Sequence, residues 1–146
     1  MRGVTLLLLF IFFASGCQKE EKKDISIKEG ISIEDSWIRP GVQERNTAAF
    51  MKILNGTDFE DTLISASSDL AKVVEIHETF TRENDLKGMR QIDHIIIPPN
   101  SVTELKPNGL HIMLIGLEQD LRGGDEGQVT LWFKTAGERT INAKVK

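Results

Sequence analysis

From residue 31 onward, apolar and polar residues alternate in short runs that stop at Gly, Pro, Asn or Asp, the pattern of strands joined by turns. Ile31-Ser32-Ile33 alternates, and Trp37-Ile38 follows before Arg39-Pro40-Gly41 halts the run. Ala48 to Leu54 is a second strand, ended by Asn55-Gly56, and Asp61 to Ala66 a third. Val73 to Thr81 is the longest, β-branched along much of its length. Arg90 to Ile97 closes at Pro98-Pro99, and Val102 to Leu105 ends near Pro107-Asn108-Gly109. His111 to Gly116, Gln128 to Lys134 and Thr140 to Val145 complete the set. Only Ser67 to Lys72 could form a helical turn. About eight or nine short strands at this spacing predict an all-β domain, a β-sandwich or barrel. There is no tyrosine, so the core is expected to rest on Ile, Leu and Val, with Trp37 and Trp132 as large anchors.

The first thirty residues follow a different pattern. Met1-Arg2 is a short basic start, Val4 to Phe13 is apolar, and Ala14-Ser15-Gly16 are the small residues that precede a cleavage site. The run is shorter than the ~20 residues that span a bilayer comfortably. Cys17, the only cysteine, follows directly, so the segment reads as a lipoprotein signal over residues 1–16 with Cys17 as the lipidated residue. Ala14 stands where such signals usually carry leucine, and the alternatives are an ordinary signal peptide with an incidental cysteine or a short anchor. Residues 17–30 read as lipid anchor and charged tether, and residues 31–146 as one domain in the periplasm or cell envelope.

Net charge is −4 for the full sequence, and one unit more negative once Arg2 is removed. An acidic domain lacks the cationic surface that phosphate contacts require, which argues against nucleic acid as a partner. With a single cysteine, the domain has neither an internal disulfide nor a thiolate metal site.

The candidate chemistry lies in His77, Met89, His111 and Met113. They are four of the six histidines and internal methionines in the chain. Val74, Ile76 and Phe80 share one face of their strand, assigned to the core, which turns His77 to the other face beside Glu75 and Thr79. A hairpin centred on Glu83 in the turn Arg82-Glu83-Asn84-Asp85 would place His77 directly opposite Met89, with Cβ atoms ~4.5–5.5 Å apart. His111 and Met113 are two apart and also share a face. Two such pairs would make an N2S2 site if the hairpin and the later strand were neighbours. Thioether sulfur favours Cu(I) and cannot be lost to disulfide formation outside the cytosol, while imidazole accepts several metals. Binding through neutral imidazole should weaken as pH falls through ~6.5. Taken singly, each histidine could be a surface residue and each methionine a packing residue. His94 reads as an exposed strand residue, with a role as accessory ligand the alternative. Met51 reads as core or sheet packing.

The spacing from His77 through ten residues after Glu78 to Met89, then twenty-one residues to His111-Ile112-Met113, resembles the signature of the periplasmic copper chaperones for the Cu-A centre, the PCuAC family. Ser36-Trp37-Ile38-Arg39, Thr47-Ala48-Ala49-Phe50, Val74 to Thr79 and Leu105 to Leu114 resemble the family's surrounding segments. The similarity runs from about Ile33 to Lys144. It implies a cupredoxin-like Greek-key β-sandwich, and one Cu(I) held by His77, Met89, His111 and Met113 in an exposed site. It also implies delivery towards the Cu-A centre of cytochrome c oxidase subunit II, often with a Sco-type thiol protein. Glu78 stands where an optional Met occurs in the family. The chain ends at Lys146 without a His- and Met-rich tail, so no second copper site is expected there.

Other classes fit less well. A blue-copper electron carrier needs a Cys thiolate beside two histidines. No nucleophile elbow, phosphate loop or zincin motif points to an enzyme. A lipoprotein acting in copper sequestration or tolerance, or a protein-binding module without metal, stays open.

Overall fold

The computed structural model describes residues 30–146. The signal segment, Cys17 and the tether through Glu29 lie outside the described residues. The described chain forms β1 (Ile31–Ile38), β2 (Thr47–Asn55), β3 (Asp61–Ser67), β4 (Ala71–Thr81), β5 (Lys87–Gln91), β6 (Ile95–Ile97), β7 (Ser101–Leu105), β8 (Leu110–Leu117), β9 (Glu126–Phe133) and β10 (Gly137–Val145). One hydrogen-bonded path runs β5-β4-β8-β2-β1-β10-β9-β3-β6, with β7 paired to β2. The parallel β1–β10 pair joins its two halves. Ile38, Met51, Ile53, Leu63, Ile76, Ile97, Ile112, Leu114, Val129, Leu131, Phe133 and Val145 form a common core within this sandwich.

β2 supports β8, the strand that carries His111 and Met113. β2 is buried along nearly its whole length, and two strands share one of its sides. β7 pairs with Met51–Asn55 and β8 with Thr47–Ala49. Between them the chain leaves the sheet in the turn Lys106–Gly109, closed by Gly109 N–H donating to the Lys106 carbonyl at 3.0 Å. Asn108 adopts φ +63° there, a conformation that Asn tolerates better than most residues.

The structure departs from the sequence reading in several elements. The run Arg90 to Ile97 is not one strand: β5 pairs with β4 at one end of the path and β6 with β3 at the other, so the segment between them crosses the sandwich. Ile95 and Ile97 face the core, whereas β5 is mostly exposed. Ser67 to Lys72 makes a tight turn with no helix. The Ser68 hydroxyl accepts from Leu70 N–H and donates to the Gln128 carbonyl at 2.6 Å, giving the backbone an alternative to a helical bond. Trp37 and Trp132 are half-buried and outside the core. Each adjoins a core residue, Ile38 or Leu131 and Phe133, and strand alternation sends it to the opposite face. Phe80 also leaves the core. β8 accompanies β4 only as far as Glu78. Beyond that Phe80 lies under the guanidinium groups of Arg82 and Arg90, 5.5 and 5.2 Å from its ring centre.

Candidate metal centre

The antiparallel β4–β8 pairing brings the two sequence pairs together. His77 lies directly opposite His111, and Glu75 opposite Met113. Ile76 and Ile112, themselves opposite, point into the core and are 3% and 0% exposed. Alternation therefore turns Glu75, His77 and Thr79 of β4, and His111 and Met113 of β8, onto the other face. The imidazole rings stand 5.8 Å apart between centres.

The β4–β5 register differs from the one read in the sequence. Thr79 faces Met89, and His77 faces Gln91. The connecting loop spans residues 82–86 and centres on Asn84, one residue later than Glu83. Asn84 and Asp85 carry φ +68° and +59°, and Arg82 N–H donates to the Leu86 carbonyl at 2.6 Å. Moving the centre by one residue moves each pairing by two, which preserves the face. Met89 is thus a diagonal neighbour of His77, a separation of roughly 7–8 Å that long side chains can cross. It is 59% exposed at the edge of the sheet.

Met89, His111 and Met113 line a single cavity of about 250 Å³ with Arg39, Asn46, Thr47, Ala48, Phe50, Thr79, Pro107 and Asn108. Phe50 forms an aromatic wall between Trp37 and His111, its ring centre 4.5 and 6.3 Å from theirs, with the Arg39 guanidinium 5.3 Å from its own centre. His77 stands beside this cavity and does not line it.

Each histidine is held by one nitrogen. The His111 Nδ1–H donates to the Gly109 carbonyl at 2.9 Å, which leaves Nε2 as the nitrogen with a lone pair. His111 is 3% exposed. Burial lowers its pKa below the ordinary histidine value, opposed by the Gly109 hydrogen bond and helped by the proximity of His77 and of the Arg39 guanidinium. His77 Nε2 is 2.7 Å from Glu75 Oε2, while its Nδ1 is buried without a partner. Among the described residues, no three of His, Cys, Asp and Glu gather into a metal site. Any ion at this face would therefore depend on the thioethers as well, and this combination suits a soft ion such as Cu(I).

His94 lies in the link between β5 and β6, exposed and off any strand. Its neighbours on the surface are Glu60, Thr62, Ile64, Asp93, Ile96 and Lys134, none of which lines the cavity. Met51 is 2% exposed in the core. The sequence reading set Glu75 beside His77 without giving it a role. The Glu-x-His spacing on one strand face was the available signal, since such residues always project side by side. Nothing in the linear sequence marked Arg39 or Phe50 as neighbours of His111.

The fold and this face define a PCuAC-type β-sandwich. The chain is similar to a solved "Copper-bound PCuAC domain from PmoF2", with 29% identity and a TM-score of 0.65 over 80% of this chain and 92% of that one. It is also similar to CuI-DR1885 from Deinococcus radiodurans, with 26% identity and a TM-score of 0.61 over 89% and 85% of the two chains. Residues 31–145 match the family described as "Putative lipoprotein LpqE-like", and the chain belongs to it. The protein RP573 of Rickettsia prowazekii (strain Madrid E) is 31% identical over 114 residues; the match covers 75% of this chain and 62% of the length of that relative. No helix among the described residues is long and apolar enough to cross a membrane.

Proposed function

We propose that this protein is an extracytoplasmic Cu(I) carrier and not an enzyme. In this reading it holds one ion between His77, His111, Met89 and Met113 and passes it to a partner protein. The observation that carries the reading is the cross-strand His77–His111 pair with Met113 on the same face of β8, in a domain whose solved neighbours are named as copper-bound. Two nitrogens and two thioethers match Cu(I) in softness, and none of the four can be oxidised to a disulfide. Met89 at the exposed edge gives an incoming ligand a place to displace a donor, which stepwise handover between proteins requires.

The acceptor we propose is the Cu-A centre of cytochrome c oxidase subunit II, with a Sco-type thiol protein as co-worker in loading. Lipidation at Cys17 would hold the carrier at the envelope membrane, in keeping with the family's lipoprotein description. Titration of the purified protein against a chromogenic Cu(I) competitor tests the carrier reading. One ion per chain is expected, and tight binding should vanish in His111→Ala/Met113→Ala. Unchanged affinity in that double variant would reject the site. Normal oxidase Cu-A loading in a deletion strain grown at low copper would reject the acceptor and favour copper tolerance.

A further inference from the structure

Glu75 is a charged side chain that touches a histidine of the site, and its contact determines which atom of that histidine is free. The carboxylate accepts only, so the 2.7 Å contact between Glu75 Oε2 and His77 Nε2 requires the proton to lie on Nε2. In the neutral ring the other nitrogen, Nδ1, then carries the lone pair. Nδ1 is buried and has no protein partner, an arrangement that is costly in an ordinary core and that native proteins rarely keep without a reason. Glu75 and His77 side chains are 25% and 13% exposed, so the contact is shielded from competition by water. Glu75 also lies directly opposite Met113, and β4 keeps it on the site face.

The same logic holds in mirror form at His111. There a backbone carbonyl takes the Nδ1 proton and leaves Nε2 bare. Two facing imidazoles, 5.8 Å apart between ring centres, are thus each bonded at one nitrogen, with the lone pair left on the other.

We propose that Glu75 is a positioning residue that fixes the tautomer and ring angle of His77, so that His77 meets the ion through Nδ1 while His111 does so through Nε2. This rests on the copper-carrier reading above. Carboxylates that hold the far nitrogen of a ligating histidine are a common device, and their removal typically weakens metal affinity by 10- to 100-fold. As a hard oxygen donor already engaged with His77, Glu75 is a poor direct ligand for Cu(I).

The test uses the full chain, with the two-bond ¹⁵N–¹H pattern of the histidine rings read before and after adding Cu(I). Before loading, His77 should show a protonated Nε2 and a lone pair on Nδ1. On loading, the Nδ1 resonance should shift while Nε2 keeps its proton. Glu75→Ala should lose about 10- to 100-fold in Cu(I) affinity, and Glu75→Gln, which keeps a carbonyl acceptor, should recover most of it. A shift at Nε2 with loss of its proton would overturn the proposal, as would wild-type affinity in Glu75→Ala. If neither His77 nor His111 responds to Cu(I) in the wild type, the copper site itself is rejected, a result distinct from binding through the other nitrogen. The wild-type ring pattern keeps the test decisive even if Glu75→Ala folds poorly.

Discussion

The two donor types of the proposed site sit in contrasting surroundings. The histidines lie on paired central strands, with Ile76 and Ile112 fixed in the core beneath them and one nitrogen of each already bonded. Met89 projects from β5, the last strand at its end of the sheet path, and is 59% exposed. A central strand has both edges satisfied and moves little, while an edge strand opens at lower cost. The difference assigns separate tasks within one site. In the proposed site the imidazoles would define where an ion sits, and the edge thioether how readily it leaves.

Removing a histidine should therefore have the largest effect. On the scale of structural zinc sites, whose four ligands supply about 10–16 kcal/mol, one rigid donor carries on the order of 2.5–4 kcal/mol, roughly a hundredfold to several hundredfold in affinity. His111→Ala is expected to lose that much in a competitor titration. A loss below tenfold would mean that the histidines do not anchor the ion.

Met89→Leu preserves bulk and apolar character while removing the sulfur. It should cost about tenfold in equilibrium affinity, near 1.4 kcal/mol, with most of the change in the dissociation rate. Stopped-flow transfer to a chelator measures it. Equal losses in Met89→Leu and His111→Ala would erase the proposed division between anchor and exit.

A change remote from the site sharpens the same contrast by altering stability alone. Asp61 is 6% exposed and accepts from the backbone N–H groups of Thr62, Thr135 and Ala136. Burial alone would raise its pKa, but these hydrogen bonds outweigh it and hold the carboxyl below its ordinary value. Its stabilisation is thus present above about pH 3.8 and is lost as pH falls through the depressed value. Asp61→Ala leaves those donors without their acceptor and should cost about 1–3 kcal/mol in a urea melt, while Cu(I) affinity stays within twofold of wild type. A parallel loss of affinity would show that the site depends on the far edge of the sandwich.

Much of this arrangement could be read before the fold was known, because period-two alternation states which residues share a face. It placed His77 away from Ile76, and His111 with Met113. What alternation does not contain is the partner of each strand. The β4–β8 pairing that sets His77 opposite His111 arises from contacts 34 positions apart in the chain. The hairpin register failed by two residues because the loop takes five, with left-handed Asn84 and Asp85, and composition does not distinguish a centre at Asn84 from one at Glu83. The face survived that error because the slip was even. Trp37, Trp132 and Phe80 were misjudged for a related reason: hydrophobicity suggested the core, whereas alternation and the early end of β8 directed them elsewhere.

The finest test of the anchored half is its response to pH. The His111 pKa lies below the ordinary value of ~6.5 because burial disfavours the imidazolium, with His77 and Arg39 adding to the effect and the Gly109 carbonyl opposing it. Above about pH 6.5 neither folded nor unfolded chain protonates this ring, so its contribution is fully present. As pH falls through that value towards the lower folded pKa, the unfolded chain takes up a proton that the folded one refuses, and metal-free stability declines. The urea midpoint should drop between pH 7.5 and 5.5, and His111→Gln should drop less because it carries no such proton. Parallel profiles would mean that His111 is as easily protonated in the fold as in the open chain, and that the anchored half of the site is less enclosed than its 3% exposure indicates.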